Sequence, residues 1–181
     1  MESKTVAAKS VRTAGPASLS DIEPLVEAVQ LAYRGGMATV DWKNENHLVT
    51  GPRIDSAKMQ ALIEGADTHV LKIEQDGKLA GCVLIEEEGD VCVIGMLSVH
   101  PEMQNLKLGK RLVQDAEAYA KSEIGSKEAR MYVLSQRAEL LEWYQRLGYE
   151  KNGERKEFPA EEEGSKPVDK DTYLTVICKK L

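Results

Sequence analysis

Cysteine is scarce in this sequence. There are three, Cys82, Cys92 and Cys178, each inside an apolar, strand-like segment. An odd count without metal-ligand spacing fits reduced, buried thiols in a cytoplasmic protein. Histidine is as sparse, and no Cys/His cluster forms, so no metal site is expected. Positive charge is in deficit. The 24 Lys and Arg stand against 30 Asp and Glu, a net −6, which argues against a nucleic-acid partner. Long apolar runs are missing too: none approaches the roughly 18 residues of a membrane span. The opening residues, MESKTVAAKSVRTAG, lack the apolar core of a signal peptide. No repeat and no composition break divides the chain, so a single domain over residues 1–181 is expected, with 1–10 loose. The apolar share of 42% and charged share of 30% are those of a soluble globular protein.

What is present is a clear order of elements. Ser20 is the predicted N-cap of a first helix, with Asp21 and Glu23 at its positive end. Leu25, Val29 and Ala32 form its apolar stripe, and Gly35-Gly36 ends it. Residues 34–53 are irregular and carry Trp42, His47 and several charges. A loop of that length and content is more often functional than a plain connector. Residues 54–65 read as a second helix. Strands follow at 69–74, 78–86 and 91–99, with Asp76-Gly77 as a hairpin turn between the first two. Glu86, Glu87 and Glu88 make an acidic run. Such a run is usually a solvated turn, but Glu86 ends a strand beside the central one and can point into a site. Beyond Gly125 come a strand at 129–134, a helix at 138–147 closed by Gly148, and strands at 151–158 and 171–179. Residues 161–167 read as a polar loop, and residues 5–13 can supply an edge strand. Hairpins mixed with helix crossovers predict an α/β (α+β) layer with a mixed sheet.

Residues 91–125 organise the rest. Val91, Val93, Ile94, Met96, Leu97 and Val99 predict a strand buried on both faces, stopped by Pro101. A polar loop over 102–110 leads to a helix whose stripe is Leu112, Ala116, Tyr119, Ala120 and Ile124. The first turn of such a helix leaves backbone N–H groups unpaired, which suits an anion such as phosphate. Lys107, Lys110 and Arg111 concentrate positive charge there. The plain alternative is an ordinary strand-to-helix connection with surface lysines.

QNLKLGK, residues 104–110, resembles the pyrophosphate loop of the GNAT superfamily of acetyl-coenzyme-A-dependent N-acetyltransferases, written Q/R-x-x-G-x-G/A. Gln104 matches its first position and Gly109 its last. Lys107 stands where the family has its first glycine. A second resemblance lies in LLEWYQRLGYE, residues 140–150, which is similar to the family's segment with a tyrosine, a basic residue and Leu-Gly-Tyr. The order of elements from about residue 5 to 181 is also the GNAT order.

That resemblance implies a GNAT fold: a mixed, mostly antiparallel sheet of about six or seven strands flanked by about four helices. It implies transfer of an acetyl group from acetyl-coenzyme A to a primary amine, by direct attack in a ternary complex. Backbone groups of Gln104, Asn105, Leu106, Lys107, Leu108, Gly109, Lys110 and Arg111 would hold the pyrophosphate. The pantetheine arm would lie along Met96, Leu97, Ser98 and Val99, where the central strand splays from residues 132–135. A backbone N–H near Leu97 would be the oxyanion donor. Tyr144 falls on the family's general acid, and its hydroxyl, with a pKa of roughly 10, is protonated at neutral pH. The base stays open among Glu86, Glu45 and His100, with Val93 where some members place a carboxylate; Glu86 is taken beside Tyr144. For the acceptor, the superfamily's usual place is the loop between the first two helices, which offers Arg34, Trp42, Glu45 and Arg53, with Arg137 and Glu139 near it. A carboxylate draws an amine and arginines draw a carboxylate, so a small amino-acid-like or polyamine-like acceptor is expected. Each of these residues has a plain alternative as a surface ion pair.

Lys107 carries two expectations. Its side chain turns outward and adds a charge contact to a coenzyme A phosphate, or the loop is distorted and binds weakly. A non-catalytic coenzyme A sensor on the same fold is the rival functional reading. A nucleoside-triphosphate binder is excluded by the lack of GxxxxGK[ST]. No membrane partner is expected, and the chain would be a monomer or homodimer.

Overall fold

The computed structural model describes residues 13–35, 44–159 and 164–181. Asp21 sets the start of the first helix. Its carboxylate accepts the backbone N–H and the hydroxyl of Ser18, each at 2.8 Å, and pairs with Lys72 at 2.7 Å. The cap is therefore Ser18, opening a 3-10 turn at Leu19–Asp21, and not Ser20. Helix α1 (Ile22–Arg34) buries Leu25, Ala28, Val29 and Ala32. Gly35 ends it at φ 65. Helix α2 (Ser56–Glu64) starts at Asp55, whose side chain accepts the Lys58 N–H at 2.7 Å.

The three consecutive strands are β3 (Thr68–Gln75), β4 (Lys78–Glu88) and β5 (Val91–Val99). Asp76 and Gly77 turn between the first two with φ 52 and 75, as a two-residue hairpin requires. Helix α3 (Leu108–Tyr119) then carries the chain to β6 (Glu128–Leu134), which lies parallel to β5. Helix α4 (Ala138–Arg146) leads to β7 (Glu150–Glu157), and β9 (Tyr173–Lys180) inserts between β6 and β7. A two-residue strand β1 (Gly15–Pro16) lines the outer edge of β3. Among the described residues the sheet has seven strands in the order β1-β3-β4-β5-β6-β9-β7, and the β5–β6 pair alone is parallel. This is the mixed, mostly antiparallel sheet with four α-helices read from the sequence. The edge strand expected at 5–13 lies almost wholly outside the described residues.

Two differences matter for the site. The predicted loop over 102–110 is mostly helical: Pro101–Leu106 form a 3-10 turn, Lys107 reverses the chain, and α3 begins at Leu108. A second, two-stranded sheet pairs β2 (Val49–Thr50) with β8 (Lys166–Pro167), in segments the sequence showed only as irregular loops. Two residues per strand carry no readable period.

The sheet is packed on both faces. Leu25 and Val29 of α1 and Met59 and Leu62 of α2 meet Val70, Cys82, Leu84 and Met96 on one side. Leu108, Leu112, Val113 and Ala116 of α3, with Leu141 and Tyr144 of α4, cover the other. Cys82 and Cys92 lie in this core and Cys178 is half-buried. Burial pushes the Cys82 thiol up to about 12, the mark of an inert structural cysteine.

Candidate functional site

Strand β5 is irregular on both sides within a few residues. Against β4, Leu84 pairs with Gly95 but Cys82 pairs with Ser98, so β5 holds one residue more than its partner. Met96 takes up the difference at φ 51. Such a bulge bends the strand and re-aims its groups. Against β6, the parallel ladder stops at Val93 with Arg130. Strand β6 then continues on β9 as far as Leu134 with Leu174. The splay therefore begins at Met131, one residue before the expected 132–135. From Gly95 to Val99, the β5 groups that turn toward β6 have no ladder partner among the described residues.

A cavity of about 280 Å³ occupies this wedge. Met96 and Leu97 line it from β5, Met131–Leu134 from β6, and Leu140 and Tyr144 from α4. Its other wall brings Arg34, Glu45, Arg53, Glu86 and Arg137 together. A second cavity of about 570 Å³ lies beside the start of α2 and shares Arg53, Leu84, Glu86 and Met96 with the first.

Tyr144 is 6% exposed. Its ring meets Trp143 and Tyr149 edge-on, with centroids 4.9 and 5.9 Å away. Burial pushes its hydroxyl above the usual tyrosine value, so it stays protonated throughout the neutral range. Glu86 is half-buried. Burial first, and then the charge of Glu88, raise its carboxyl above the ordinary value. Residues 86–88 are thus more than a solvated turn, because Glu86 faces both cavities.

The predicted acceptor residues divide. Arg34 donates from Nη1 to Glu45 Oε1 at 2.8 Å and from Nε to the Gly51 carbonyl at 2.7 Å. Arg137 Nη1 approaches Glu45 Oε2 at 3.5 Å. Glu45 is 7% exposed and held between two guanidiniums, so it is not an open carboxylate waiting for an amine. Arg53 lies 5.0 Å over the Tyr33 ring. Trp42 falls outside the described residues. His100 borders neither cavity; its Nδ1 accepts the Glu102 N–H at 3.4 Å. Glu139 is exposed and also lies away from them.

The predicted cofactor residues divide as well. Lys107 adopts φ 60, ψ 19, the left-handed conformation that suits the glycine usual in this motif, and its side chain is exposed. No side chain caps α3, so the N–H groups of its first turn are open to an anion. Lys110, Asn105 and Leu106 are exposed near it, and Gln104 Nε2 donates to the Val99 carbonyl at 3.4 Å. Gly109 has an ordinary φ; a Cβ there would make contacts of 3.7 Å with Trp143 and Val99. The Arg111 side chain is committed elsewhere, to Asp115 at 2.9 Å and Thr13 at 3.0 Å. Ser98 and Leu108 are core side chains, and the Ser98 hydroxyl donates to the Met96 carbonyl at 3.0 Å.

Sequence reasoning missed the wall built by the C-terminal segment. Phe158, Pro159 and Ser165 border the first cavity. Ser165 Oγ bonds the Pro52 carbonyl and lies 3.4 Å from Arg34 Nη2. Gly51, at φ +87, passes so close to Gly164 that a Cβ would meet its carbonyl oxygen at 2.1 Å. The glycines at 51 and 164 were the available signal. Among the described residues no group of three or more His, Cys, Asp or Glu could hold a metal, and no helix is long and apolar enough to cross a membrane.

The model of the acetyltransferase (GNAT) family matches residues 37–149. Among solved structures, a ribosomal-protein-alanine N-acetyltransferase from Brucella melitensis is similar at TM-score 0.70 and 15% identity, over 94% of this chain and 100% of that one. The ribosomal-protein-S18-alanine N-acetyltransferase from Escherichia coli gives 0.68 and 15%, over 93% and 92%. The PaiA N-acetyltransferase from Thermoplasma acidophilum, in complex with coenzyme A, gives 0.66 and 18%, over 95% and 99%. No curated protein matches the chain. At such identities the structural likeness speaks for the fold.

Proposed function

This chain belongs to the acetyltransferase (GNAT) family and is an N-acetyltransferase; from that premise we propose that it acetylates the primary amine of a small molecule in the cavity beside β5. The observation that carries the proposal is one cavity lined by the β5–β6 wedge, Tyr144 and Glu86 together.

Acetyl-coenzyme A would supply the thioester acyl group. The residues fit it in two places: the uncapped first turn of α3, from Lys107 to Lys110, for its pyrophosphate, and the unpaired edge of Gly95 to Val99 for its pantetheine arm. The backbone N–H of Leu97, beside the bulge, is the donor proposed for the developing oxyanion. Glu86, its carboxyl raised above the ordinary value by burial, takes the amine's proton directly or through water. Tyr144 keeps its proton at neutral pH and gives it to the departing thiolate. The bond formed is amide C–N and the bond broken is C–S.

The test is release of free thiol from acetyl-coenzyme A with a panel of amines. Amine-dependent release supports the proposal. Tight coenzyme A binding without release by any amine replaces it with the sensor reading.

A further inference from the structure

The acceptor wall reverses the charge of the chain around it. Arg34, Arg53 and Arg137 line the first cavity together with Glu45 and Glu86, a local excess of cations in a protein of net charge −6. The five are not equivalent. Glu45 already has Arg34 at 2.8 Å on one oxygen and Arg137 at 3.5 Å on the other. These three balance much of one another's charge and offer little to an incoming group. Arg53 has no ion pair among the described residues. Its guanidinium is fixed 5.0 Å over the Tyr33 ring, and its backbone N–H donates to Gln30 Oε1 at 2.7 Å. A cation over an aromatic face is held by the ring's charge distribution and not through its N–H donors. The edge of a guanidinium is the fork that pairs with a planar anion through two hydrogen bonds. Arg53 and Glu86 both lie where the two cavities join.

We infer that Arg53 is the anion-binding residue of the acceptor site, and that the acceptor is a zwitterion whose carboxylate meets Arg53 while its amine lies beside Glu86. The inference rests on the acetyl-transfer reading of the same cavity and narrows its substrate class. A polyamine brings several positive charges against a wall already in cationic excess, and each repels Arg53. A free amino acid or related amino carboxylate brings one charge of each sign to one partner of each sign. Ile54, Leu62 and Leu84 line the second cavity beside one further charge of each sign, Asp55 and Lys58, and offer an apolar surface to the body of such a molecule. Its volume of about 570 Å³ is within the range of small-molecule sites.

The experiment uses matched acceptors on the whole protein. Apolar amino acids are compared with their C-terminal amides, their decarboxylated amines, a dipeptide amide and spermidine, in initial-rate thiol release. The amino acid is expected to exceed its amide in kcat/KM by about tenfold or more, through KM. In Arg53→Gln that ratio falls to about one, and Arg53→Lys, which keeps the charge but not the fork, restores part of it. Equal turnover of amide or spermidine by the wild type, or an Arg53→Gln loss with an unchanged ratio, overturns the inference and leaves the acetyltransferase reading standing. No turnover of any amine by protein that binds coenzyme A overturns both.

Discussion

Replacing Lys107 by glycine separates strain from charge in the proposed pyrophosphate loop. Lys107 is held at φ 60, ψ 19 between the Pro101–Leu106 turn and α3. A residue with a Cβ in that conformation costs about 1–2 kcal/mol. Glycine removes that cost but widens the unfolded ensemble, which returns about 0.4–1 kcal/mol. The lysine side chain is exposed, so no packing is lost. The balance leaves Lys107→Gly more stable by about 0.5–1 kcal/mol, or about 1–4 °C in Tm for a chain of this size. Coenzyme A affinity moves the other way. One exposed charge at a helix N-terminus is worth about 0.3–1 kcal/mol to a bound anion at low salt, so the variant binds about two- to fivefold more weakly. That difference shrinks between about 20 and 200 mM salt, because screening removes it. Calorimetric melting reads the first effect and titration with coenzyme A at both salts reads the second. Tighter binding by the variant refutes the charge role and assigns Lys107 to a distorted loop. A lower Tm refutes the strain argument.

Tyr144→Phe keeps the ring packed against Trp143 and Tyr149 and removes the proposed proton donor. Its kcat is expected to fall by about 10²–10³ with coenzyme A affinity within about twofold, and an unchanged kcat moves proton donation elsewhere. Glu86 has a raised folded-state pKa, so its ionisation as a base places the acidic limb of the wild-type pH–rate profile above the ordinary value of 4.5. Glu86→Gln is expected to abolish that limb, and a limb that persists excludes Glu86 as the titrating base. The same shift means that the folded state holds this proton more tightly than the unfolded one. Its stabilising effect is complete below 4.5 and is lost as pH rises through the raised value; melting of Glu86→Gln against wild type across that window checks the sign. Gly51→Ala puts a Cβ against the Gly164 carbonyl at φ +87. It is expected to lower stability by about 1–3 kcal/mol and to raise the acceptor KM more than the coenzyme A Kd; equal effects on both detach the β2–β8 clasp from the acceptor side.

Local signals carried most of the fold. Asp76-Gly77 announced its hairpin, Gly148 its helix end, and the stripes of α1 and α3 fell on the faces they bury. What stayed hidden depended on partners distant in the chain. The cap at Ser18 is drawn there by Asp21, which is itself anchored by Lys72. The bulge at Met96 is a register difference with β4, and nothing in VIGMLSV shows where a neighbouring strand skips a residue. The β2–β8 clasp joins segments more than a hundred residues apart. One contact was legible: Arg111 and Asp115 stand one helical turn apart, the spacing of an ion pair, which leaves the backbone of Arg111 for the phosphate.

The carboxylates at 45 and 86 were near-equal candidates in the sequence, and their neighbours separate them. A general base needs an open lone pair and a pKa moved toward the working pH. Glu45 is already engaged on both oxygens, because Arg34 of α1 bonds one and Arg137 at the start of α4 approaches the other. Removing it would leave two largely buried guanidiniums facing each other, which is the mark of a structural hub. Glu86 has no ion pair among the described residues, is half-buried on a cavity wall, and is pushed upward by that burial. The arginines sort by the same rule. Arg34 is spent on Glu45 and the Gly51 carbonyl, whereas Arg53 is positioned by an aromatic ring that takes none of its donors. Residue type nominated all of these groups, but the partners already bound to each decide which retain capacity for a substrate. On that criterion Arg53 and Glu86 are the residues proposed to carry the chemistry of the acceptor side.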